Sequence, residues 1–110
     1  MDKLQNLMTD ISNWSDQTFG NKHRNPSVLY HLIEEINELI YNFNLSNNME
    51  NKYSLIKEEF ADCFILLLDS ASHAGITAND LFDIIVDKME INKKRKWGQP
   101  DKNGIIKHIK

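Results

Sequence analysis

A single cysteine, Cys63, is the only thiol in this 110-residue chain. One thiol excludes a disulfide framework and suits a reducing cytoplasm. Lying between Asp62 and Phe64 in an apolar run, it reads as an inert buried residue. Long hydrophobic runs are also missing. The longest, Cys63 to Leu68, is far too short to span a bilayer. Met1 to Ile11 mixes Asp2, Lys3, Gln5 and Asn6 with its apolar residues, so no secretory signal is expected. Positive charge is not in excess: the formal net charge is −3 and the isoelectric point about 5.7. That argues against a broad electrostatic hold on a nucleic acid polymer, although the last quarter is locally basic and single nucleotides remain compatible. Repeats, strand-like alternation and low-complexity tracts are absent. What is present, 41% hydrophobic residues over this length, is enough for one domain (1–110) with a modest core.

The apolar residues recur with a helical period. Leu4, Leu7, Met8, Ile11 and Trp14 predict a helix from about 2 to 18, stopped by Gly20. Pro26 can open a second helix and Ser27 offers capping chemistry. Leu29, Leu32, Ile33, Ile36, Leu39, Ile40 and Phe43 then trace the core face of a helix over about 27–43. Asn44 to Asn51 is a polar reversal, which makes the next helix an antiparallel neighbour. Lys52 to His73 is apolar nearly all round in its middle, as befits a central helix, and Gly75 ends it. Thr77 with Asp80 resembles a capping box ahead of a fourth helix, through Leu81, Ile84, Ile85 and Met89 to about Lys96. The tail carries an Asn103-Gly104 turn signal and is otherwise unassigned. The expected fold is all-α, a four-helix-type bundle.

Five carboxylates interrupt this pattern: Glu34, Glu35 and Glu38 on the second helix, Glu59 and Asp62 on the third. Residues three apart share a helix face, so Glu35 with Glu38 and Glu59 with Asp62 form two pairs that converge if the helices pack side by side. Alone, the stripe His31, Glu35, Glu38, Asn42 reads as a solvated flank, with Glu34 pointing elsewhere. Glu59 and Asp62 sit on a helix with little polar surface to spare, which turns the weighing toward a binding site. Two facing acid pairs repel unless a cation holds them, and oxygen-only ligands favour Mg²⁺ or Mn²⁺. Di-iron bundles use Glu-x-x-His pairs, and no His follows Glu35, Glu38 or Glu59 at that spacing. Hard cations on carboxylates commonly serve phosphate chemistry.

Lys88, Asn92 and Arg95 lie at i, i+4 and i+7 on the fourth helix and by angular position extend the face that Leu81, Ile84 and Ile85 turn toward the core, so they are expected to point inward as a phosphate clamp. Lys93 and Lys94 are read instead as charges favoured by the helix C-terminus. Trp14 is assigned first to the core, with base stacking as the alternative. Phe19, His23 and His31 are further candidates for a base pocket.

With these residues in view the chain resembles the MazG-like all-α nucleoside triphosphate pyrophosphohydrolases, marked by E-E-x-x-E and then E-x-x-D, here Glu34, Glu35, Glu38, Glu59 and Asp62. It is most similar to the dATP/dGTP diphosphohydrolase (MazZ-like) group. The opening W-S-D-x-T-F-G is met by Trp14, Ser15, Asp16, Thr18, Phe19 and Gly20. The end pattern K-x-E-x-N-x-x-R-x-W-G-x-P-D is met by Lys88, Glu90, Asn92, Arg95, Trp97, Gly98, Pro100 and Asp101. The resemblance implies cleavage of a deoxynucleoside triphosphate, a purine such as dGTP or dATP, to monophosphate and pyrophosphate with Mg²⁺ or Mn²⁺. It implies Glu35, Glu38, Glu59 and Asp62 as metal ligands; which carboxylate takes the proton from water is left open by it, with Glu38 the first choice, since it could touch both metal and water, and Glu35 the second. Lys88, Asn92 and Arg95 would meet the triphosphate, and Trp14, Phe19 and His31 the base. It further implies a homo-oligomer, a tetramer before a dimer, in a bacterial or phage-infected cytoplasm, serving 2-aminoadenine DNA synthesis in phage or nucleotide-pool cleaning. The contrasting expectation is a non-catalytic helical oligomerisation module whose acids hold a structural cation.

Overall fold

The computed structural model describes residues 2–20, 25–45 and 50–110; His23 and the centre of the predicted 44–51 loop lie outside the described residues. Four helices follow one another: α1 Lys3–Phe19, α2 Ser27–Phe43, α3 Lys52–His73 and α4 Ala78–Lys94. Among the described residues the only β-type pairing is an isolated bridge. The chain forms two compact units, Met1–Ala78 and Asn79–Lys110.

Local chemistry sets the helix ends of the first unit. Asp2 caps α1, its Oδ1 accepting from the Leu4 and Gln5 amides at 2.9 and 3.4 Å. Gly20, at φ +84°, donates its N–H to the Asp16 carbonyl and stops the helix, as its sequence position predicts. At α2 the expectation is corrected. Pro26 occupies the cap position rather than the first helical turn, and no side chain, Ser27 included, caps the helix. α3 closes in a Schellman motif, with Ile76 N–H on the Ala71 carbonyl, Gly75 N–H on the Ser72 carbonyl, and Gly75 at φ +83°.

Within this unit α3 packs against both α2 and α1. Lys52 Nζ reaches the Leu45 carbonyl at 2.8 Å, tying the start of α3 to the end of α2. Asn25 and Ser70 clasp each other: the serine hydroxyl donates to Asn25 Oδ1 at 2.9 Å and the asparagine amide to the Ser70 carbonyl at 3.1 Å. Gln5 of α1 accepts the Ala78 amide at 2.8 Å, filling one of the donors left open at a helix start.

Among the described residues the buried apolar members of the core are few: Met8, Ile11, Val28, Cys63, Leu68 and Ala78. Cys63 is buried, as predicted, and its thiol is pushed up by that burial and by the charges of Glu35, Glu59 and Asp62. Two packing expectations fail. Ile33, Ile36, Ile40 and Phe43, read as the core face of α2, are all exposed in the single chain, and so are Phe60, Phe64 and Leu67 of α3. The physical reason is a shortage of neighbours, since inside this unit α2 lies on α3 alone.

In the second unit the unassigned tail folds back on itself. Trp97 and His108 form an antiparallel bridge with edge-to-face rings. Gly98 N–H donates to the Lys107 carbonyl and Ile109 N–H to the Lys96 carbonyl. Asp101 closes the turn, its Oδ1 accepting from the amides of Asn103 and Ile105 at 2.8 and 3.0 Å. Arg95, one residue past the end of α4, donates from Nη1 to Asn92 Oδ1 at 3.1 Å; both residues are half-buried, while Lys88, expected to point inward with them, is exposed, which corrects that part of the expectation.

Candidate functional site

Helix geometry brings the acids together. α2 contributes Glu35 and α3 contributes Glu59 and Asp62, with one carboxylate oxygen of each lying within 4.8 Å of the others. Glu38 stands outside this trio and is exposed, yet is near enough for its charge to act on Glu59. Glu34 is exposed. Three of the four predicted ligands therefore meet, and the fourth borders them.

Glu59 carries the strain of the arrangement. Its carboxyl is pushed up to about 7, first by burial, then by a hydrogen bond with Glu35, then by the charges of Glu35, Asp62 and Glu38. Its Oε2 is buried with no hydrogen-bond partner. A buried acceptor without a donor, surrounded by further acceptors, fits a hard cation, whose several ligand positions could take an oxygen from each of the three residues.

A cavity of about 610 Å³ opens beside the trio, lined by Glu35 and Asp62. Ile65 and Leu66 of α3 form an apolar stretch of its wall, and Trp14 and Phe19 come from α1. The two aromatic rings meet edge to face with centroids 5.4 Å apart. Trp14 is 52% exposed, so its first assignment, to the core, is corrected in favour of the cavity. Periodicity places it on the inner face of α1, and the cavity leaves that part of the face uncovered. His31 also lines the cavity, with Nε2 3.3 Å from Glu35 Oε1.

A second polar cluster was not foreseen. Ser15 Oγ donates to Asp69 Oδ2 at 2.7 Å across 54 residues of sequence. His73 lies 2.7 Å from Asp16 Oδ1 through Nε2 and 2.8 Å from the Asp69 carbonyl through Nδ1. With acceptors at both ring nitrogens, only the imidazolium donates to both. The pKa of His73 is accordingly raised, chiefly by Asp16 and then by the Asp69 carbonyl, against a smaller opposing effect of burial. Ser15 and Asp16 stood in the W-S-D motif, and Asp69 and His73 are four apart on α3. Those spacings were the available signal, but nothing in them specifies the pairing across helices.

This cluster gives a pH test. A histidine pKa raised above its ordinary 6.5 contributes stability that is complete below about that pH and lost as pH rises through the folded value. The melting temperature should fall between pH 6 and pH 8.5, and His73→Asn should flatten that part of the profile. An unchanged slope in the variant would remove His73 as the cause.

The dATP/dGTP pyrophosphohydrolase family matches residues 7–110. A Salmonella phage PMBT28 protein named dATP/dGTP diphosphohydrolase is 35% identical over 99 residues, 90% of this chain and 29% of that protein. A Cyanophage S-2L protein of the same name is 33% identical over 104 residues, 94% of this chain and 85% of that protein. The chain thus spans under a third of the first relative and most of the second. No solved structure was found to match.

Proposed function

Because the chain belongs to the dATP/dGTP pyrophosphohydrolase family, we propose that it hydrolyses a purine deoxynucleoside triphosphate, dGTP or dATP, to the monophosphate and pyrophosphate. The observation that carries this reading is the meeting of Glu35, Glu59 and Asp62, two of which, Glu35 and Asp62, line a cavity that also presents Trp14 and Phe19. These three acids would hold Mg²⁺ or Mn²⁺, with Glu38 as a fourth ligand. When bound, the ion would neutralise phosphate oxygens and make water at that place more acidic.

The chain's own groups divide the remaining work. Glu38, one helical turn from Glu35 and open to solvent, is free to take the proton from attacking water, with Glu35 as the second candidate. His31 holds Glu35 in orientation and borders the base pocket. Trp14 and Phe19 stack on the base, and Ile65 and Leu66 keep water from that part of the cavity. Lys88, Asn92 and Arg95 are proposed for the triphosphate on the chemistry of their donors alone.

The exposed apolar stripe of α2, Ile33, Ile36, Ile40 and Phe43, together with Phe60, Phe64 and Leu67 of α3, supports assembly as a homo-oligomer, a tetramer in this reading. Among the described residues no helix is long and apolar enough to cross a membrane.

The deciding assay incubates each of the four dNTPs with Mg²⁺ or Mn²⁺ and resolves the products. Monophosphate plus pyrophosphate from dGTP or dATP is expected. No turnover of any nucleotide would favour the alternative, a silent helical module whose acids bind a cation for structure.

A further inference from the structure

The cavity beside the acid trio is walled by α1 and α2, with α3 between them. Among the described residues α3 packs on both neighbours, while α1 and α2 do not pack on each other. The opening between the two walls is therefore set by how α1 is held on α3. Near the start of α1 the hold is apolar and neutral: Met8 and Ile11 are buried, and Gln5 accepts the Ala78 amide. Past Trp14 it is polar, with Ser15 Oγ 2.7 Å from Asp69 Oδ2 and Asp16 Oδ1 2.7 Å from His73 Nε2. Among these groups only His73 has an ordinary pKa near neutrality.

The second ring nitrogen makes that contact depend on a proton. His73 Nδ1 faces two oxygens of its own helix, the Asp69 carbonyl at 2.8 Å and Asp69 Oδ1 at 3.0 Å. Asp16 of α1 and Asp69 of α3 are the charged groups that bear on the ring, and both favour its cation. Loss of the proton leaves one N–H for acceptors on two sides. If the remaining hydrogen sits on Nδ1, the bond to α1 is lost. If it sits on Nε2, that bond survives without its ion-pair attraction. Either tautomer slackens the hold of α3 on the last turn of α1, Asp16 to Phe19. Phe19 closes that turn, and its ring meets Trp14 edge to face at the cavity wall.

Resting on the proposed stacking of a nucleobase on these two rings, we infer that His73 is a positioning residue for the aromatic wall: protonated, it clasps the last turn of α1 to α3 and holds Phe19 and Trp14 where they receive the base; deprotonated, it lets that wall loosen and the nucleotide bind more weakly. His73 acts through Asp16 and is not among the residues that line the cavity. The histidine is raised above its ordinary 6.5, first by Asp16, so nucleotide affinity falls as pH rises through that higher value.

The emission of Trp14 in metal-free protein without nucleotide reads the clasp directly. Trp97, the only other tryptophan, lies against His108 and is replaced by Phe, since its emission would carry that histidine's titration. Trp14 emission should shift with the His73 pKa, read from its imidazole proton resonances. His73→Gln, neutral and with one donor for Asp16, should remove that component. An emission that ignores the His73 titration, or an equal shift in the variant, would overturn the inference. Asp16→Asn keeps an acceptor without its charge and should move the midpoint down; if His73→Gln fails to fold by circular dichroism, an unmoved midpoint here refutes the role. Calorimetry with dGMP and dAMP carries the test to the ligand. At about two pH units below the His73 pKa, His73→Gln should bind the tighter of the two about fivefold more weakly than wild type, and at about two units above it the proteins should bind alike. The same ratio at both pH values, as a merely structural role would give, or no binding of either nucleotide by the wild type, would contradict the proposal. A Trp14 titration that follows His73 in a protein that binds nucleotide but cleaves no dNTP would uphold the clasp and sink the hydrolase reading. Cleavage of dGTP or dATP with pH-independent Trp14 emission would do the reverse.

Discussion

Asp62→Asn and Glu59→Gln are expected to lower turnover of dGTP by about a thousandfold or more while leaving helicity intact, because an amide keeps the shape of the acid but binds a hard cation weakly. Circular dichroism and initial rates at saturating Mg²⁺ check both halves of the statement. The two variants differ in stability, and the difference is diagnostic. Glu59 is raised from 4.5 to about 7, so its protonated form is the one the fold favours. Its contribution is complete below about pH 4.5 and lost as pH climbs through 7. Metal-free Glu59→Gln should therefore melt higher than wild type at pH 8, by an advantage that shrinks toward pH 5. Unfolding of either variant would return the acids to a structural role.

The second large effect concerns assembly. Wild-type protein should run in light scattering at four times the chain mass, and replacing both Ile33 and Ile40 with Glu should yield a monomer with a markedly lower melting temperature. Both positions lie on the exposed stripe of α2, and a buried charge without a partner costs several kcal/mol, roughly, at a close-packed contact. A wild-type monomer at micromolar concentration, or a double variant with unchanged mass, would contradict the use of this face.

These two effects come from parts of the molecule that the sequence reveals unequally. The helices were legible nearly to the residue, α2 and α3 over 27–43 and 52–73, since periodic apolar positions end at strong breakers such as Gly20 and Gly75. The acid trio was legible for a related reason: i, i+3 spacing on two adjoining helices leaves few places for Glu35, Glu59 and Asp62 to go. What periodicity reports is that a face is apolar, not what covers it. Trp14 therefore read as core but borders a cavity, and Ile33 to Phe43 read as core but face outward in the single chain. Contacts between distant polar residues left still less trace. Ser15 with Asp69 and Asp16 with His73 are joined only by the packing of α1 on α3. In the tail the Asn103-Gly104 signal did mark the turn, with Gly104 at φ +80°, whereas the pairing of Trp97 with His108 that the turn serves left no periodic trace.

If carboxylates of α2 and α3 share one cation, anomalous diffraction from crystals equilibrated with Mn²⁺ will reveal it. A manganese peak at ligand distance, about 2.0–2.6 Å, from oxygens of Glu35, Glu59 and Asp62 is the predicted result. A map with no peak among these three side chains at saturating Mn²⁺ would contradict it.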